Sequence, residues 1–363
     1  MADNSFDDYS SIPSVVFRGG AEPSDSLLSE VNAIAGYDII GDVHGCATQL
    51  EALLDGLGYA RRDTDGSYCH PTRKAVFVGD LIDRGPEQLR VLQLVKGMVD
   101  ADSAQMVLGN HEFNAMAYAT EWPVGSGKYL RPHDDPSHPW SSKNERHHRA
   151  FLEQVVGEDR ARYLEWFWTL PLWLDLGGIR VVHACWHAES IALIENQLGG
   201  SRLSEVRHLV RASEEGDPLY TAIETLVKGP NLSLTDYGQD RYLDVDGEPR
   251  DQARVRWWHH GPATLRGVAE MGAKFTTAEG VPYPELPDLA VSQVHRSHVY
   301  ADRIPVVYGH YWRQGEPRHG HDWTDYTACV DFSAVNGGAM TAYRWSGERR
   351  IQPENYFSLG AFG

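Results

Sequence analysis

Three short motifs, each placed directly after an apolar run, constrain the fold of this chain more than any other feature. The motifs are Gly41-Asp-Val-His-Gly45, Gly79-Asp-Leu-Ile-Asp-Arg-Gly85 and Gly109-Asn-His-Glu112. The runs before them, at 37–40, 74–78 and 104–108, are β-prone and predict short strands. Because the ends of strands in an open α/β sheet meet at one crevice, we expect the polar side chains of all three motifs to lie together.

The segments after the first two motifs have the periodicity of amphipathic helices. Leucines follow the first motif at spacings of i, i+3, i+4 and i+7, namely Leu50, Leu53, Leu54 and Leu57. After the second motif, Pro86 suits the first position of a helix. The buried stripe predicted for that helix is Leu89, Leu92, Val95 and Val99. Strand–loop–helix units in tandem predict an α/β fold with right-handed crossovers.

The chain is expected to divide into one core domain with insertions and two tails. We predict a tail or lead-in over 1–36 with a short helix around Ser24–Ala35, a domain over 37–350, and a C-terminal tail over 351–363. Proline- and glycine-rich stretches at about 115–150 and 190–305 predict inserted segments, the second of them cap-like. Within these regions we expect a loop over 120–149, helices over 150–169 and 190–226, and irregular chain over 229–305 broken by a strand at 253–258. Core strands are also predicted at 172–176, 179–182, 306–308, 327–332 and 339–345.

Composition narrows the classes of function. The formal net charge of −18 provides no overall positive field, which excludes broad nucleic-acid or anionic-membrane binding. The four cysteines are scattered without a C-x-x-C pair, as is typical of a reducing compartment. The start of the chain lacks a signal-peptide pattern, and no apolar stretch reaches the roughly 20 residues of a membrane span. We therefore predict a cytoplasmic protein.

Two further segments follow the same plan as the motifs and complete a set of candidate metal ligands. They are Val181-Val-His-Ala184 and Val307-Tyr-Gly-His310, each an apolar run that leads to a histidine. Five strand ends then supply six ligands: Asp42, His44, Asp80, Asn110, His183 and His310. Oxygen ligands mixed with imidazole suit divalent transition metals, with manganese favoured here and iron or zinc as alternatives. A carboxylate such as Asp80 can bridge two ions about 3.5–4 Å apart.

Three more residues of the motifs suit the chemistry of phosphate esters. His111 directly follows the candidate ligand Asn110, so its imidazole is expected in the same crevice, where it could protonate a leaving oxygen. Asp83 could orient that imidazole. Arg84 could hold phosphate oxygens through its fork of N–H donors.

The ordered set of five segments resembles that of the calcineurin-like metallophosphoesterases. The sequence Asp83-Arg84-Gly85 is similar to the phosphoprotein-phosphatase branch of that family. Within the branch, His183-Ala184 and the ending Asp331-Phe-Ser-Ala-Val-Asn-Gly-Gly338 resemble the bacterial diadenosine tetraphosphatase-like and Ser/Thr phosphatase-like proteins. The resemblance implies a central two-sheet β-sandwich flanked by helices.

The resemblance also implies roles for individual residues. Positions matching Asp42, His44 and Asp80 hold one metal ion, and those matching Asp80, Asn110, His183 and His310 hold the other. His111 and Asp83 match an acid pair, and Arg84 matches a phosphate-binding arginine. A second such arginine is expected upstream of the last histidine ligand, where Arg254 and Arg256 share one face of a predicted strand. Both remain candidates.

These features predict a phosphatase that uses two divalent metal ions and acts on a phosphorylated protein or small metabolite. The expected reaction is hydrolysis of a phosphate monoester by direct attack of metal-bound hydroxide. Two alternatives remain open: a hydrolase of dinucleoside polyphosphates, such as diadenosine tetraphosphate, and a catalytically silent metal-binding interaction module. The other histidine pairs, including His147-His148, follow no strand signal and are expected at solvated or loop positions.

Overall fold

The computed structural model describes residues 34–134, 136–138, 142–244, 247–271 and 275–360. The helix predicted around Ser24–Ala35 and the lead-in that contains it lie almost entirely outside the described residues. Within the described residues, no helix is long and apolar enough to cross a membrane. All four cysteines are free thiols.

The described residues form the following strands and α-helices. The strands are β1 (Gly36–Ile40), β2 (Ala60–Arg61), β3 (Tyr68–Cys69), β4 (Arg73–Phe77), β5 (Ala104–Met106), β6 (Trp173–Asp175), β7 (Arg180–Val182), β8 (Asn231–Ser233), β9 (Tyr242–Leu243), β10 (Pro249–Arg250), β11 (Gln252–Val255), β12 (Ala269–Glu270), β13 (Val306–Tyr308), β14 (Thr327–Cys329), β15 (Asp331–Phe332), β16 (Ala339–Trp345) and β17 (Tyr356–Leu359). The α-helices are α1 (Ala47–Leu57), α2 (Gln88–Asp100), α3 (Asn110–Ala119), α4 (Lys143–Gln154), α5 (Gly157–Phe167), α6 (Ala188–Leu198), α7 (Val206–Ala212), α8 (Pro218–Lys228), α9 (Leu265–Val268) and α10 (Gln293–Ser297).

Two sheets form the centre of the fold. The larger has the order β15-β16-β1-β4-β5, with β17 paired to β16, and its strands β1, β4 and β5 are parallel. The smaller has the order β14-β13-β7-β6, with β13 parallel to both of its neighbours. Parallel strands need crossover connections, and α1 and α2 provide those of the larger sheet. The strands that carry the motifs therefore end on the same side of their sheets.

The side chains of the strands alternate between two buried layers, as the period of two requires. Ile39 and Val76 from the larger sheet share an apolar cluster with Val181 and Val307 from the smaller, so this layer fills the space between the sheets. Neighbouring residues such as Ile40 and Phe77 belong to a second cluster that includes buried residues of helices α1 and α2. This arrangement confirms the predicted two-sheet sandwich flanked by helices.

Helix α2 differs in detail from its prediction. It begins at Gln88, so Pro86 precedes the helix, and Leu89 and Val99 are only partly buried. The fully buried positions are instead Gln88, Val91, Leu92, Val95 and Met98. The reason is that the Gln88 amide turns inward, accepting a hydrogen bond from the Asp83 N–H and donating to the carbonyls of Asp83 and Gly85.

The predicted insertions contain more regular structure than the sequence pattern indicated. Helix α4 begins at Lys143, inside the expected loop, and the single helix expected over 150–169 is divided into α4 and α5. The region 190–226 forms three helices, and 229–305 contains a three-stranded sheet β12-β11-β8 with its own small apolar core. The described part of the expected C-terminal tail includes β17, which is an edge strand of the larger sheet. The proposed domain limits themselves stay predictions.

Candidate metal centre and active site

The six predicted ligands occupy loops at the ends of five strands from both sheets. Asp42 and His44 follow β1, Asp80 follows β4, and Asn110 begins α3 after β5, whereas His183 and His310 follow β7 and β13. The structure brings these segments together into one cluster, in which His310 is partly exposed and the other five side chains are buried. The sandwich is therefore the means by which residues far apart in sequence become neighbours.

Asn110 connects the two sheets within this cluster. Its Oδ1 lies 3.0 Å from His183 Nε2 and 2.8 Å from His310 Nδ1. Asp80 is equally central, with Oδ2 at 3.4 Å from His183 Nε2 and 3.7 Å from His44 Nε2. An oxygen shared between imidazoles on two sides is the arrangement expected of a bridging carboxylate.

The described residues contain two groups whose ligand atoms all lie within 4.8 Å of one another. One group is His44, Asp80 and His111, and the other is Asp80, His183 and His310. Asp80 belongs to both. The second group, with Asn110 beside it, matches one of the two predicted ligand sets, whereas the first contains His111 where the resemblance implied Asp42.

Asp42 lies at the edge of the cluster. Its carboxylate oxygens accept the backbone N–H of His310 at 3.3 and 3.2 Å. Gly309 is required here, because a Cβ at that position would lie 2.1 Å from Asp42 Oδ1. Asp42 is thus fixed against the last ligand loop, and its role as a metal ligand stays a prediction.

Two ligand histidines have their ring orientation set by the backbone. His44 Nδ1 lies 2.8 Å from the Ile82 carbonyl and His183 Nδ1 lies 2.8 Å from the Val78 carbonyl, so each Nδ1–H donates. For His44, that tautomer leaves Nε2 with a lone pair directed into the cluster, as metal-ligating histidines require, whereas His183 Nε2 would have to release its proton to bind a metal ion. His44 Nε2 is buried and has no hydrogen-bond partner among the described residues. A cation would satisfy it.

The charges of the cluster also suit a cation. Burial raises the pKa of Asp42 well above its usual value, and the negative charges of Asp331 and Asp80 add to that effect. Burial acts to lower the pKa of His183, but the charges of Asp80 and Asp42 outweigh it and raise the value to about 10. Asp42 and Asp331 are thus buried carboxylates whose negative charge is not fully compensated, and a metal ion would displace the His183 proton on binding. The residues present therefore fit divalent metal ions.

His111 lies beside the cluster and is held by Asp83. His111 Nδ1 is 2.5 Å from Asp83 Oδ2, and its Nε2 is 3.9 Å from Asp80 Oδ2. Burial acts to lower the pKa of His111, but the charges of Asp80 and Asp83 raise it overall. The imidazole therefore favours its protonated form, in which Nε2 carries a proton into the crevice.

A second histidine shares the same carboxylate oxygen. His148 Nδ1, from helix α4, is 2.8 Å from Asp83 Oδ2, and the His148 side chain is almost completely buried. The expectation that His148 occupies a solvated or loop position is therefore wrong. The prediction failed because the first turns of α4, which were expected to be a loop, form a helix. The buried face of this helix packs on the active site and directs His148 toward Asp83.

Arg84 is positioned by a cation–π contact. Its guanidinium carbon lies 3.8 Å from the ring centroid of Trp312, which in turn lies beside His44.

Several residues of the site have left-handed backbone conformations, with positive φ at His44, Asp80, Asp83, Arg84, His310 and Trp312. Such conformations cost of order 1–3 kcal/mol each and concentrate at functional sites.

The two candidate arginines of β11 have different surroundings. Arg254 Nη1 donates to the Gly229 carbonyl at 3.1 Å and to Asn231 Oδ1 at 2.8 Å. Its charge also contributes, after burial and His183, to lowering the pKa of His310. Arg256 instead contacts Glu270 at 3.2 Å and the Ala269 carbonyl. Arg254 is thus the arginine that lies near a ligand.

Glu112 is a functional residue for which the sequence analysis assigned no role. Its buried carboxylate accepts the backbone N–H groups of Asp80 at 2.9 Å, Leu81 at 2.7 Å and Gly109 at 3.2 Å. It therefore ties the second motif to the third. The signal was present, because Glu112 closes the third motif and stands at the third position of α3, where a carboxylate can reach back to free N–H groups.

A model of the calcineurin-like phosphoesterase family matches residues 37–310. The matched segment contains all six predicted ligands and the pair formed by His111 and Asp83. This chain belongs to the calcineurin-like phosphoesterase family. Members of the family use a dinuclear site for divalent metal ions, and the two clusters that share Asp80 could hold such ions here.

Several curated relatives are named asymmetrical bis(5'-nucleosyl)-tetraphosphatase PrpE. The one from Halalkalibacterium halodurans is 54% identical over 76 residues, which are 21% of this chain and 30% of the relative. The one from Oceanobacillus iheyensis is 32% identical over 148 residues, which are 40% of this chain and 54% of the relative. The matches thus span about a third to a half of the length of these relatives.

Solved structures with a similar chain course include phosphatases. A serine/threonine phosphatase from Saccharomyces cerevisiae is 14% identical with a TM-score of 0.45, over 92% of this chain and 82% of that one. A cold-active protein-tyrosine phosphatase from a psychrophilic Shewanella is 15% identical with a TM-score of 0.38, over 94% of this chain and 87% of that one.

Proposed function

We propose that this protein is a metal-dependent phosphoesterase that hydrolyses phosphate monoesters by direct attack of water, without a phosphorylated enzyme intermediate. The observation that carries the proposal is the contact between His111 and Asp83 at 2.5 Å, directly beside the carboxylate shared by both ligand groups. A proton donor in that position suits the protonation of a leaving oxygen.

The metal centre would use His44, Asp80, His183 and His310 together with Asp42 and Asn110. Two divalent ions, preferably manganese, would supply an activated water and would neutralise charge on the phosphate. The mixture of carboxylate, amide and imidazole ligands supports this choice of metal.

The remaining steps belong to side chains of the chain itself. Arg84, held over the ring of Trp312, would bind two phosphate oxygens and orient the ester. Arg254 would support it from the side of His310. His111 would donate the proton on Nε2 to the departing oxygen, and Asp83 would keep its ring in place and stabilise its charge.

A second candidate activity is the hydrolysis of dinucleoside polyphosphates, in which a phosphoanhydride bond is cut. It is supported by the name of the relatives from Halalkalibacterium halodurans and Oceanobacillus iheyensis. A silent metal-binding module is disfavoured by the complete set of His111, Asp83 and Arg84. The four free cysteines support our further proposal that the protein acts in the cytoplasm.

The test uses purified full-length protein with Mn²⁺ and five substrates. They are p-nitrophenyl phosphate, its bis-ester, a phosphoserine peptide, a phosphotyrosine peptide and diadenosine tetraphosphate. We expect turnover of monoesters, and we expect His111→Asn to lower kcat by about 10²–10⁴-fold while metal content is retained. Asp80→Asn should lose metal and activity together. Inactivity on all five substrates, or full activity of His111→Asn, would contradict the proposal.

A further inference from the structure

The chain that follows the last predicted ligand, His310, contacts two different parts of the molecule. Trp312 holds Arg84 through the cation–π contact described above. The next side chain, Arg313, lies instead over the ring of Trp258, with its guanidinium carbon 4.8 Å from the ring centroid. Trp258 follows the inserted strand β11 in the sequence, so Arg313 connects the ligand segment to the insertion.

Arg313 is a buried charge whose counter-charge comes partly from the insertion at 229–305. Its side chain is 4% exposed, and its Nη1 donates to Oε1 of Glu270 on strand β12. Its Nε lies 3.3 Å from Asp322 Oδ1, and its backbone N–H donates to the Asp331 carbonyl at 2.9 Å. Because desolvation offsets the attraction within a buried ion pair, such a pair is better explained by a need for one fixed arrangement than by stability.

Glu270 is also the cross-strand neighbour of Arg254. The two residues are register partners in the antiparallel pair β11-β12, where directly opposite Cβ atoms are about 4.5–5.5 Å apart. The carboxylate of Glu270 is nevertheless occupied by other arginines, Arg313 at Oε1 and Arg256 at Oε2, the latter at 3.2 Å. Among the residues that the structure describes, none forms an ion pair with Arg254, whose Nη1 donates to two neutral oxygens. The charge of Arg254 therefore suits an incoming anion.

A second contact joins the surroundings of Arg254 to the same segment. The carbonyl of Gly229 accepts a hydrogen bond from Arg254 Nη1 at 3.1 Å. A Cβ on Gly229 would lie 2.2 Å from the Tyr311 hydroxyl oxygen, so only glycine allows this close approach. The inserted sheet thus contacts residues 311–313 through two groups, Gly229 and Glu270, that both adjoin Arg254.

We propose that Arg313 and Glu270 are positioning residues that fix Arg254 relative to Arg84. The inference rests on the proposed phosphoesterase function, in which these two arginines bind the phosphate. Trp312 locates Arg84 and the next residue, Arg313, locates Arg254, so neighbouring residues of one segment align both donors. Neither Arg313 nor Glu270 touches the substrate. Loss of their link leaves Arg254 charged but displaced, which weakens the binding of phosphate more than it slows the chemical step.

The test uses the double variant Arg313→Met/Glu270→Gln in the full-length protein. This variant removes the link without changing the net charge, so a change in the overall field does not explain its effect. By calorimetry at one fixed Mn²⁺ concentration, we expect Kd for orthophosphate to rise about tenfold, because a well-placed hydrogen bond to a charged group is lost. KM for p-nitrophenyl phosphate should rise in parallel, whereas kcat and metal content should change little.

The role of Arg254 is isolated by a double-mutant cycle. Arg254→Ala alone should also raise Kd, and adding Arg313→Met/Glu270→Gln to it should raise Kd further by less than about twofold, since both changes act through one side chain. A wild-type Kd for Arg254→Ala, or an additive loss when the changes are combined, refutes the inference.

A matched control removes another ion pair between the insertion and the core. Arg180 of β7 pairs with Asp302 at 2.6 Å, and Arg180→Met/Asp302→Asn should keep the wild-type Kd for orthophosphate. Thermal unfolding checks that each variant folds. Arg313→Lys, which keeps the charge but lacks the fork, replaces the double variant if that one unfolds, and should raise Kd about threefold.

The outcomes separate the inference from the function on which it rests. An unchanged Kd in the Arg313 variants, or an equal loss in the control, refutes the positioning role while turnover of p-nitrophenyl phosphate still supports the phosphoesterase. Orthophosphate binding that follows the expected pattern, without turnover of any of the five substrates, refutes the proposed function alone.

Discussion

One carboxylate oxygen of Asp83 accepts hydrogen bonds from two imidazoles. His111 donates from one side at 2.5 Å and His148 from the other at 2.8 Å, all three being buried. One partner faces the ligand cluster, whereas the other belongs to the inserted helix α4. His148 thus restrains the Asp83 carboxylate, and the carboxylate restrains the ring of His111. His148 is therefore a candidate positioning residue.

We predict that His148→Ala impairs the protonation of poor leaving groups. Loss of the second donor frees Asp83 to rotate, so His111 is held less accurately. We expect kcat for an alkyl phosphate to fall about tenfold or more, but kcat for p-nitrophenyl phosphate to fall much less, because nitrophenolate leaves without protonation. Steady-state kinetics on both esters measure the difference.

The control for this prediction is His148→Asn, whose side-chain amide can place a donor near the position of Nδ1. It should restore much of the lost rate, and both variants should bind metal as the wild type does. Equal losses on the two esters would show that His148 acts only through the general stability of the region.

Sequence patterns can identify site residues that directly follow a strand. They do not identify site residues that lie on a distant element and reach the site only through tertiary packing. Asp80 and His183 were predicted because each follows an apolar, β-prone run in the sequence. His148 was missed because it contacts Asp83 across 65 residues from a polar helix whose only other buried side chain is Phe151. Proximity of that kind depends on packing and leaves no local signature.

At the scale of elements, Asp38 joins three strands of the larger sheet. This buried residue of β1 accepts hydrogen bonds from Arg73 of β4 at 3.0 Å and from Arg344 of β16 at 3.1 Å. Tyr59 donates a third bond at 3.1 Å. The strands linked in this way carry the first two motifs.

We predict that Asp38→Ala destabilises the fold by about 3–5 kcal/mol, because it leaves the nearly buried charge of Arg73 without its counter-charge. Urea unfolding followed by circular dichroism measures the change. Asp100→Ala serves as the control, since Asp100 pairs with Lys96 at the exposed surface and should cost less than about 1 kcal/mol. Similar costs for the two variants would contradict the prediction.

Elements with strong apolar periodicity were the ones that the sequence predicted well. The strands β13 and β16 and the buried face of α1 agree with their predictions. Strand β11 overlaps the strand predicted at 253–258. The first turns of helix α4 and the strands β8 and β12 were not predicted, because these short segments bury few apolar residues and tertiary packing decides their conformation. The fold could thus be predicted at its centre but not in its insertions.

For the whole molecule, the metal ions should contribute to stability as well as to activity. Asp42 and Asp331 are buried beside Asp80 and raise each other's cost of ionisation, so removal of bound cations leaves their charges uncompensated. At metal concentrations 100-fold above Kd, each site stabilises the folded state by about 2.7 kcal/mol. We therefore predict that chelation with EDTA lowers Tm by several degrees and abolishes activity, and that Mn²⁺ restores both.

Differential scanning calorimetry with and without EDTA measures this effect. Asp80→Asn is the control, because a protein that has lost the shared carboxylate should show little dependence of Tm on Mn²⁺. An identical Tm and full activity after complete removal of metal would contradict the dinuclear site.

The separation of Asp42 from His310 by 268 residues has a consequence for how the protein is made. At about 5–20 residues per second, a ribosome exposes the first ligand loop roughly ten seconds to a minute before the last. The group formed by Asp80, His183 and His310 cannot exist during that interval. An ion at that group would therefore bind only after the ribosome has released the strands of the smaller sheet that position His183 and His310.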